Sequence, residues 1–257
     1  MNWSSEQYLK FKAQRTQPAI DLVNRINMNN PKKIIDIGCG PGNSTQVLSS
    51  RFPGAYILGV DKSEDMISSA KANYPNLDFE ICDIEVELSQ LEHNFDIVFS
   101  NACIQWVPDH KHLLTNMLSL LNRDGVLAVQ IPMNFNEPIH MIIDELATSN
   151  KWKDYFIEPR IFYTLTQSEY FNILSEISKD FDIWETVYYH AMKSHDDILE
   201  WYRGTGLRPY LDVLSDNKKT EFEADVMENL LQRYPKQKNG DIIFRFLRFF
   251  FTAQQKG

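Results

Sequence analysis

The stretch Ile34-Ile35-Asp36-Ile37-Gly38-Cys39-Gly40-Pro41-Gly42-Asn43 decides the fold. A short apolar run carries one acid, then breaks into glycines at alternate positions. Such a pattern is a buried strand ending in a tight turn, stripped of side chains where something must come close. Dinucleotide folds space their glycines G-x-G-x-x-G, and the third one lets the helix pack on the strand. Here Asn43 stands at that third place and the extra glycine falls one residue early. Asp36 is read as pointing its carboxylate toward the ligand end of the turn. A carboxylate there repels a pyrophosphate and suits a cation.

Outward from this turn, strands and helices alternate. The first 30 residues read as helical, with Pro18 opening a second run that carries Ile20, Leu22, Val23 and Ile26. Strands are expected at Lys33–Ile37, Ala55–Val60, Leu77–Ile81, Phe95–Ser100 and Gly125–Ile131. Helices are expected from Asn43 to Phe52, from Ser63 (an N-cap) to Asn73, and from Asp109 to Asn122. Strands alternating with helices make βαβ units and a mostly parallel sheet. After Pro132 the pattern changes to helices near 138–149, 194–202 and 215–234, a capping box at Thr166-x-x-Glu169, and strands at 181–192 and 242–253. An apolar stripe of Phe222, Val226, Met227, Leu230 and Leu231 reads as packing surface. The expected architecture is one α/β domain over 1–257, a Rossmann-like seven-stranded, mostly parallel sheet with helical insertions forming a cap. Within it, 1–30 is an N-terminal helical lid, 31–132 the cofactor-binding core, and 133–257 the substrate cap and final strands.

Composition narrows the function. The 257 residues are 43% apolar, enough for one packed core. No segment approaches the roughly 20 apolar residues of a membrane span, and the polar start Met1-Asn2-Trp3-Ser4-Ser5-Glu6 shows no signal pattern. A cytoplasmic protein that contacts no membrane is expected. Net charge is −9 with no Lys/Arg run, which argues against nucleic acid as partner. Cys39, Cys82 and Cys103 form no C-x-x-C and read as small buried or loop residues, so no metal is expected.

Asp36-x-Gly38-x-Gly40-x-Gly42 resembles the first motif of class I S-adenosylmethionine (SAM)-dependent methyltransferases. The resemblance implies SAM as cofactor, with S-adenosylhomocysteine (SAH) as product, and places its site at successive strand ends. Asp61 ends the second strand about twenty residues after the glycines, where an acid takes both ribose hydroxyls. By the same resemblance Asp83 receives the adenine amino group, Ile84 flanks the ring, and Asn101 and Ala102 line the methionine and sulfonium end. Trp106 forms a wall beside cofactor or substrate. Asn101-Ala102-Cys103-Ile104 lacks the (Asn/Asp)-Pro-Pro-(Tyr/Phe) tetrad of methyltransferases that act on bases.

Further segments resemble trans-aconitate methyltransferases. They are Tyr8-Leu9-x-Phe11, Arg15-Thr16-x-Pro18-Ala19, Gln105-Trp106-x-Pro108-Asp109-His110, Leu127-Ala128-Val129-Gln130-x-Pro132, Asp182-Ile183-Trp184-Glu185-Thr186 and Gly204-Thr205-Gly206-Leu207-Arg208-Pro209. The resemblance implies a small polycarboxylate substrate, methylated on one carboxylate. Carboxylates are ionised near pH 7, so ester formation needs no general base and no catalytic side chain is assigned. Guanidinium forks bind the remaining carboxylates best. Arg203 and Arg208, flanking a Gly-Thr-Gly turn able to wrap an anion, are the first candidates. Arg160, His140, Arg15 and Tyr8 follow. The alternatives are a malonyl-acyl-carrier-protein carboxyl methyltransferase and a SAM-binding module without turnover. Oligomeric state is not legible.

Overall fold

A computed structural model describes residues 11–156 and 162–255. Tyr8 and Arg160 lie outside these residues. The elements are α1 (Lys12–Arg25), β1 (Lys33–Ile37), α2 (Asn43–Arg51), β2 (Tyr56–Asp61), α3 (Glu64–Asn73), β3 (Asp78–Ile81), β4 (Phe95–Asn101), α4 (His110–Ser119), β5 (Leu121–Pro132), α5 (Pro138–Thr148), α6 (Gln167–Ile177), β6 (Ser178–Met192), α7 (His195–Arg203), α8 (Arg208–Leu211), α9 (Asp216–Arg233) and β7 (Ile242–Gln255). The sheet has seven strands in the order β3-β2-β1-β4-β5-β7-β6. β1 pairs in parallel with β2 and β4, β2 with β3, and β4 with β5, whereas β7 runs antiparallel to β5. Chain order reverses between β1 and β4, so the switch point, where ligands bind in open α/β sheets, lies between Ile37 and Asn101.

The chain divides into two compact units. The described part of the first comprises residues 11–132, 162–186 and 248–255; that of the second, 133–156 and 187–247. The first unit runs to Pro132, and segments 162–186 and 248–255 group with it. In that unit, parallel strands covered on both faces are apolar throughout, and Ile34, Ile35, Ile37, Ile97, Val98, Phe99, Leu127 and Val129 are buried. In the second, Trp152, Phe156, Tyr210 and Phe222 pack ring to ring. The Trp152 indole N–H donates to Asp225 Oδ2 at 2.7 Å.

Several local signals act as expected. Ser63 caps α3, and Thr166 and Glu169 form the capping box of α6. Others do not. α1 runs unbroken through Pro18. Proline inside a helix costs about 3 kcal/mol, and the buried stripe of Ala19, Leu22, Val23 and Ile26 offsets it. α4 ends at Ser119, earlier than the periodicity implies, because Leu121 already pairs with Phe95 in β5. Leu231 is exposed and lies outside the stripe of Phe222, Val226 and Leu230.

β7 is built from Phe249, Phe250 and Phe251, all buried. The Phe250 ring stacks on Trp184 with centroids 5.2 Å apart. Trp184 also receives the Arg25 guanidinium at 4.7 Å. Trp184 of the Asp182–Thr186 segment thus has a packing role. Phe250→Ala is expected to destabilise the protein by about 3–5 kcal/mol in urea unfolding, since the cavity cannot collapse between paired strands.

Candidate active site

β1 ends in a turn whose amides are all engaged. Gly38 N and Cys39 N both donate to Val60 O, at 2.8 and 3.0 Å, and Gly42 N donates to Cys39 O at 3.1 Å. Gly40 N donates to Asp61 Oδ2 at 2.9 Å. Pro41 has no N–H. Phosphate-cradling loops work by aiming free backbone N–H groups at the anion, and none of these four is free. Gly38 has φ +73, and a Cβ there would lie 2.2 Å from Cys103 Sγ. Glycine at 38 therefore lets the segment after β4 approach the turn. At Gly40, φ +55, a Cβ would meet nothing within 4 Å. Of the three glycines of the turn, it is the one with open space beside it.

Asp36 does not face outward as expected. It is fully buried. Its Oδ2 accepts from Ser44 Oγ at 2.6 Å and Thr45 Oγ1 at 2.7 Å. These hydroxyls sit in the first turn of α2, where the helix dipole favours a negative charge. Asp36 thus ties β1 to α2 and sets the turn between them, a role the motif alone does not reveal. Its Oδ1 is buried with no hydrogen-bond partner. Burial pushes its pKa up to about 6.

Asp61 ends β2, as expected. Besides Gly40 N it accepts Ser63 N through Oδ1 at 2.9 Å, and burial raises its pKa. A carboxylate has about four lone-pair sites, so two remain for ligand hydroxyls. Asp83 follows β3. Its carboxylate takes Lys62 Nζ at 2.6 Å and Glu85 N at 3.1 Å. The Lys62 ammonium holds its pKa below the ordinary carboxylate range. Ile84 is buried beside it. Lys62 went unnoticed in the sequence, where it reads as a surface lysine.

Asn101 closes β4, and its Oδ1 is buried without a partner. Ala102 has φ 55, left-handed for a residue with a Cβ, which costs of order 1–3 kcal/mol. Its N–H donates to Gln130 O at 2.9 Å, and its carbonyl accepts Gln105 Nε2 at 2.7 Å. The Gln105 Oε1 is a further buried acceptor without a partner. Trp106 packs on Phe162 at 5.1 Å. Gln105 is held a second time by Tyr163, whose N–H donates to its carbonyl at 3.1 Å. The His110 ring accepts or donates at Nδ1 to the buried Tyr170 hydroxyl, 2.6 Å away.

Arg15 is buried on the inner stripe of α1 in this same unit. His140, Arg203 and Arg208 belong to the second unit. Arg203 is not open to a ligand: its Nε and Nη2 grip Glu223 at 2.6 and 2.9 Å and join α7 to α9. The Gly-Thr-Gly turn is not an anion cradle either. Thr205 N and Leu207 N both donate to Tyr202 O, at 3.0 and 2.8 Å. A Cβ at Gly206 would strike the Tyr202 ring at 2.5 Å, so this glycine serves packing. Arg208 opens α8 with only a 3.7 Å contact to Asp212. The His140 ring meets Tyr202 edge-on at 5.2 Å. A groove of about 560 Å³ lined by Tyr56, Lys71, Pro75, Leu77, Asp78, Phe79 and Glu80 lies at the amino ends of β2 and β3. Ligands of such sheets bind at the opposite, carboxyl ends.

A seven-stranded, mostly parallel sheet with β7 reversed beside β5, and a glycine turn at its switch point, match the Rossmann-like fold of class I methyltransferases. The methyltransferase-domain family matches residues 29–201. Two curated trans-aconitate 2-methyltransferases are 41% identical. One, from Enterobacter sp. (strain 638), aligns over 257 residues, 99% of each chain. The other, from Escherichia coli O139:H28, aligns over 254 residues, 99% of this chain and 98% of that one. Among solved structures, phosphoethanolamine N-methyltransferase 2 of Haemonchus contortus, in complex with S-adenosyl-L-methionine, superposes with TM-score 0.56 at 18% identity, over 93% of this chain and 53% of that one. The YcgJ protein of Bacillus subtilis gives 0.58 at 16%, over 94% and 100%. These two share the fold. The chain belongs to the methyltransferase-domain family and, within it, to the trans-aconitate 2-methyltransferases.

Asp36 makes stability pH-dependent. A folded-state pKa of about 6 exceeds the ordinary 3.8, so at any pH between the two values folding is accompanied by proton uptake. The stability this group contributes is full below the lower value and lost as pH climbs through the upper one. Asp36→Asn removes the effect. Its Tm relative to the wild type is expected to improve from roughly pH 4 to pH 7, by the equivalent of about 3 kcal/mol. Calorimetric melting over a pH series checks this; a difference flat with pH would contradict it.

Proposed function

We propose that the protein transfers the methyl group of SAM to a carboxylate of trans-aconitate, giving a monomethyl ester and SAH. The full-length identity with trans-aconitate 2-methyltransferases supports the reaction. One observation of the site carries the choice of donor. The turn at Gly38–Gly42 has no amide left for a phosphate, while at the end of β4 and just beyond it Asn101 Oδ1 and Gln105 Oε1 are buried acceptors with no partner among the described residues. Acceptors without donors fit a ligand bearing positive charge.

When bound, SAM supplies an electrophilic methyl on a sulfonium. The residues of this chain bind and orient. Asp61 offers its remaining lone pairs to the ribose hydroxyls; Asp83 and Ile84 meet the adenine; Asn101, Ala102 and Trp106 line the methionine end. The substrate carboxylate is already ionised and serves as nucleophile, so no side chain needs to remove a proton. The site must hold the attacking oxygen in line at roughly 3 Å and balance the other carboxylates. Arg208, His140 and Arg15 remain candidates for that balance, with Arg203 committed to Glu223.

A panel of polycarboxylic acids with methyl-labelled SAM tests the reaction. Base-labile methyl ester on trans-aconitate is expected; label confined to nitrogen, or transferred to no acid, would refute the proposal. Calorimetry should find SAM binding and no NAD binding. Asp61→Ala is expected to raise the Kd of SAM about tenfold or more through the lost charge-assisted bonds. Arg208→Ala should raise KM for the acid by a similar factor while leaving the Kd of SAM alone.

A further inference from the structure

The face of the sheet that carries Asp36 and Asn101 also carries a buried polar pair. Asn101 and Gln130 are register partners on β4 and β5, and Phe250 of β7 stands opposite Gln130. Side chains alternate between faces, so Arg248, two residues from Phe250, projects on the side of Gln130. Arg248 Nη1 donates to Gln130 Oε1 at 3.3 Å. Gln130 has no exposed surface and Arg248 has 6%. The orientation of the amide follows from this bond. Turned over, its NH2 would face guanidinium N–H groups, donor against donor. Oε1 therefore belongs to Arg248, and Nε2 is left as a buried donor that meets no acceptor among the described residues. Buried donors in native proteins are nearly always matched, by protein, ordered water or ligand, and an oxygen brought by a ligand is the partner inferred for Nε2. The guanidinium beside it selects an anion.

We propose that Gln130 and Arg248 form a buried subsite that holds one carboxylate of the methyl acceptor. This rests on the polycarboxylate reading above. The amide N–H and the planar guanidinium can donate together to one carboxylate, as arginine forks do, and burial strengthens both bonds. The subsite gives the enzyme a reason to require more than one carboxylate: one is anchored here and withdrawn from reaction, another is presented to the methyl group. Because the pair is closed to solvent, the acid enters as α1, which packs on β5, shifts aside. Arg15, on the buried stripe of that helix, brings a second guanidinium with it. The carboxylate of the donor's own methionine shares this chemistry, and the test separates the two sources.

Gln130→Glu is nearly isosteric and keeps an acceptor for Arg248, so the fold is retained, but it removes the donor and adds a negative charge. The Kd of trans-aconitate, measured by calorimetry with SAH present, is expected to rise about 30-fold or more, and KM with it. kcat at saturation should fall less than about threefold and the Kd of SAH should move less than about twofold. Gln130→Met, which removes the donor without adding charge, should give a smaller rise in the same direction. Loss of SAH binding with the acid's Kd unmoved would overturn the assignment in favour of the donor's carboxylate. Unchanged affinity for both ligands in both variants would overturn the subsite altogether. A wild-type protein that neither bound nor methylated any polycarboxylate would overturn the proposed reaction as well, and that failure is recognisable because it appears before any substitution.

Discussion

The end of β2 consumes the amides of the turn that follows β1. Val60 accepts two of them through its carbonyl, and Asp61 a third through its side chain. An N–H that is already donated has little left for a ligand. In the loop that cradles phosphate in other α/β sheets, the amides of Gly38, Cys39, Gly40 and Gly42 are here already spent, and Gly40 presents an open surface. The choice of ligand is thus made by hydrogen-bond inventory. The parallel pairing of β1 with β2 is what brings Val60 and Asp61 within reach.

Electrostatics follows from the same arrangement. Asp36 and Asp61 are drawn into the protein at the switch point, and burial raises both carboxyl pKa values. An acid so placed weakens the fold near neutral pH and favours a cation beside it. Function-bearing sites commonly carry such local cost. The hydroxyls of Ser44 and Thr45 limit it by hydrogen-bonding the charged form. Ala102, held left-handed by Gln130 and Gln105, stores strain at the same end of the sheet.

Much of this was legible in residue order. Alternating apolar runs and capping residues located β1 to β5 and α2 to α4 within a few residues, because parallel strands and capped helices carry local signals. Asp61, Asp83 and Asn101 could be placed at strand ends for the same reason. The substrate end was less legible. Arg203-Gly204-Thr205-Gly206 looks like an anion loop, yet Glu223, twenty residues on, takes the arginine and Tyr202 takes the amides. Arg248 stands out in the sequence inside a phenylalanine-rich strand but carries no assigned role there, although a guanidinium in such a run is itself a signal.

The sequence by itself determined the strand-turn-helix order, the glycines and the acid at the head of the turn, since each is a matter of local backbone freedom and period. Tertiary structure decided which polar groups are already spent and which are left over. Asp36 turned inward to Ser44 and Thr45, Arg203 outward to Glu223, and Gln130 was left with a donor unmatched. Hydrogen-bond satisfaction depends on neighbours brought together by strand pairing across long separations, and no local pattern records who those neighbours will be.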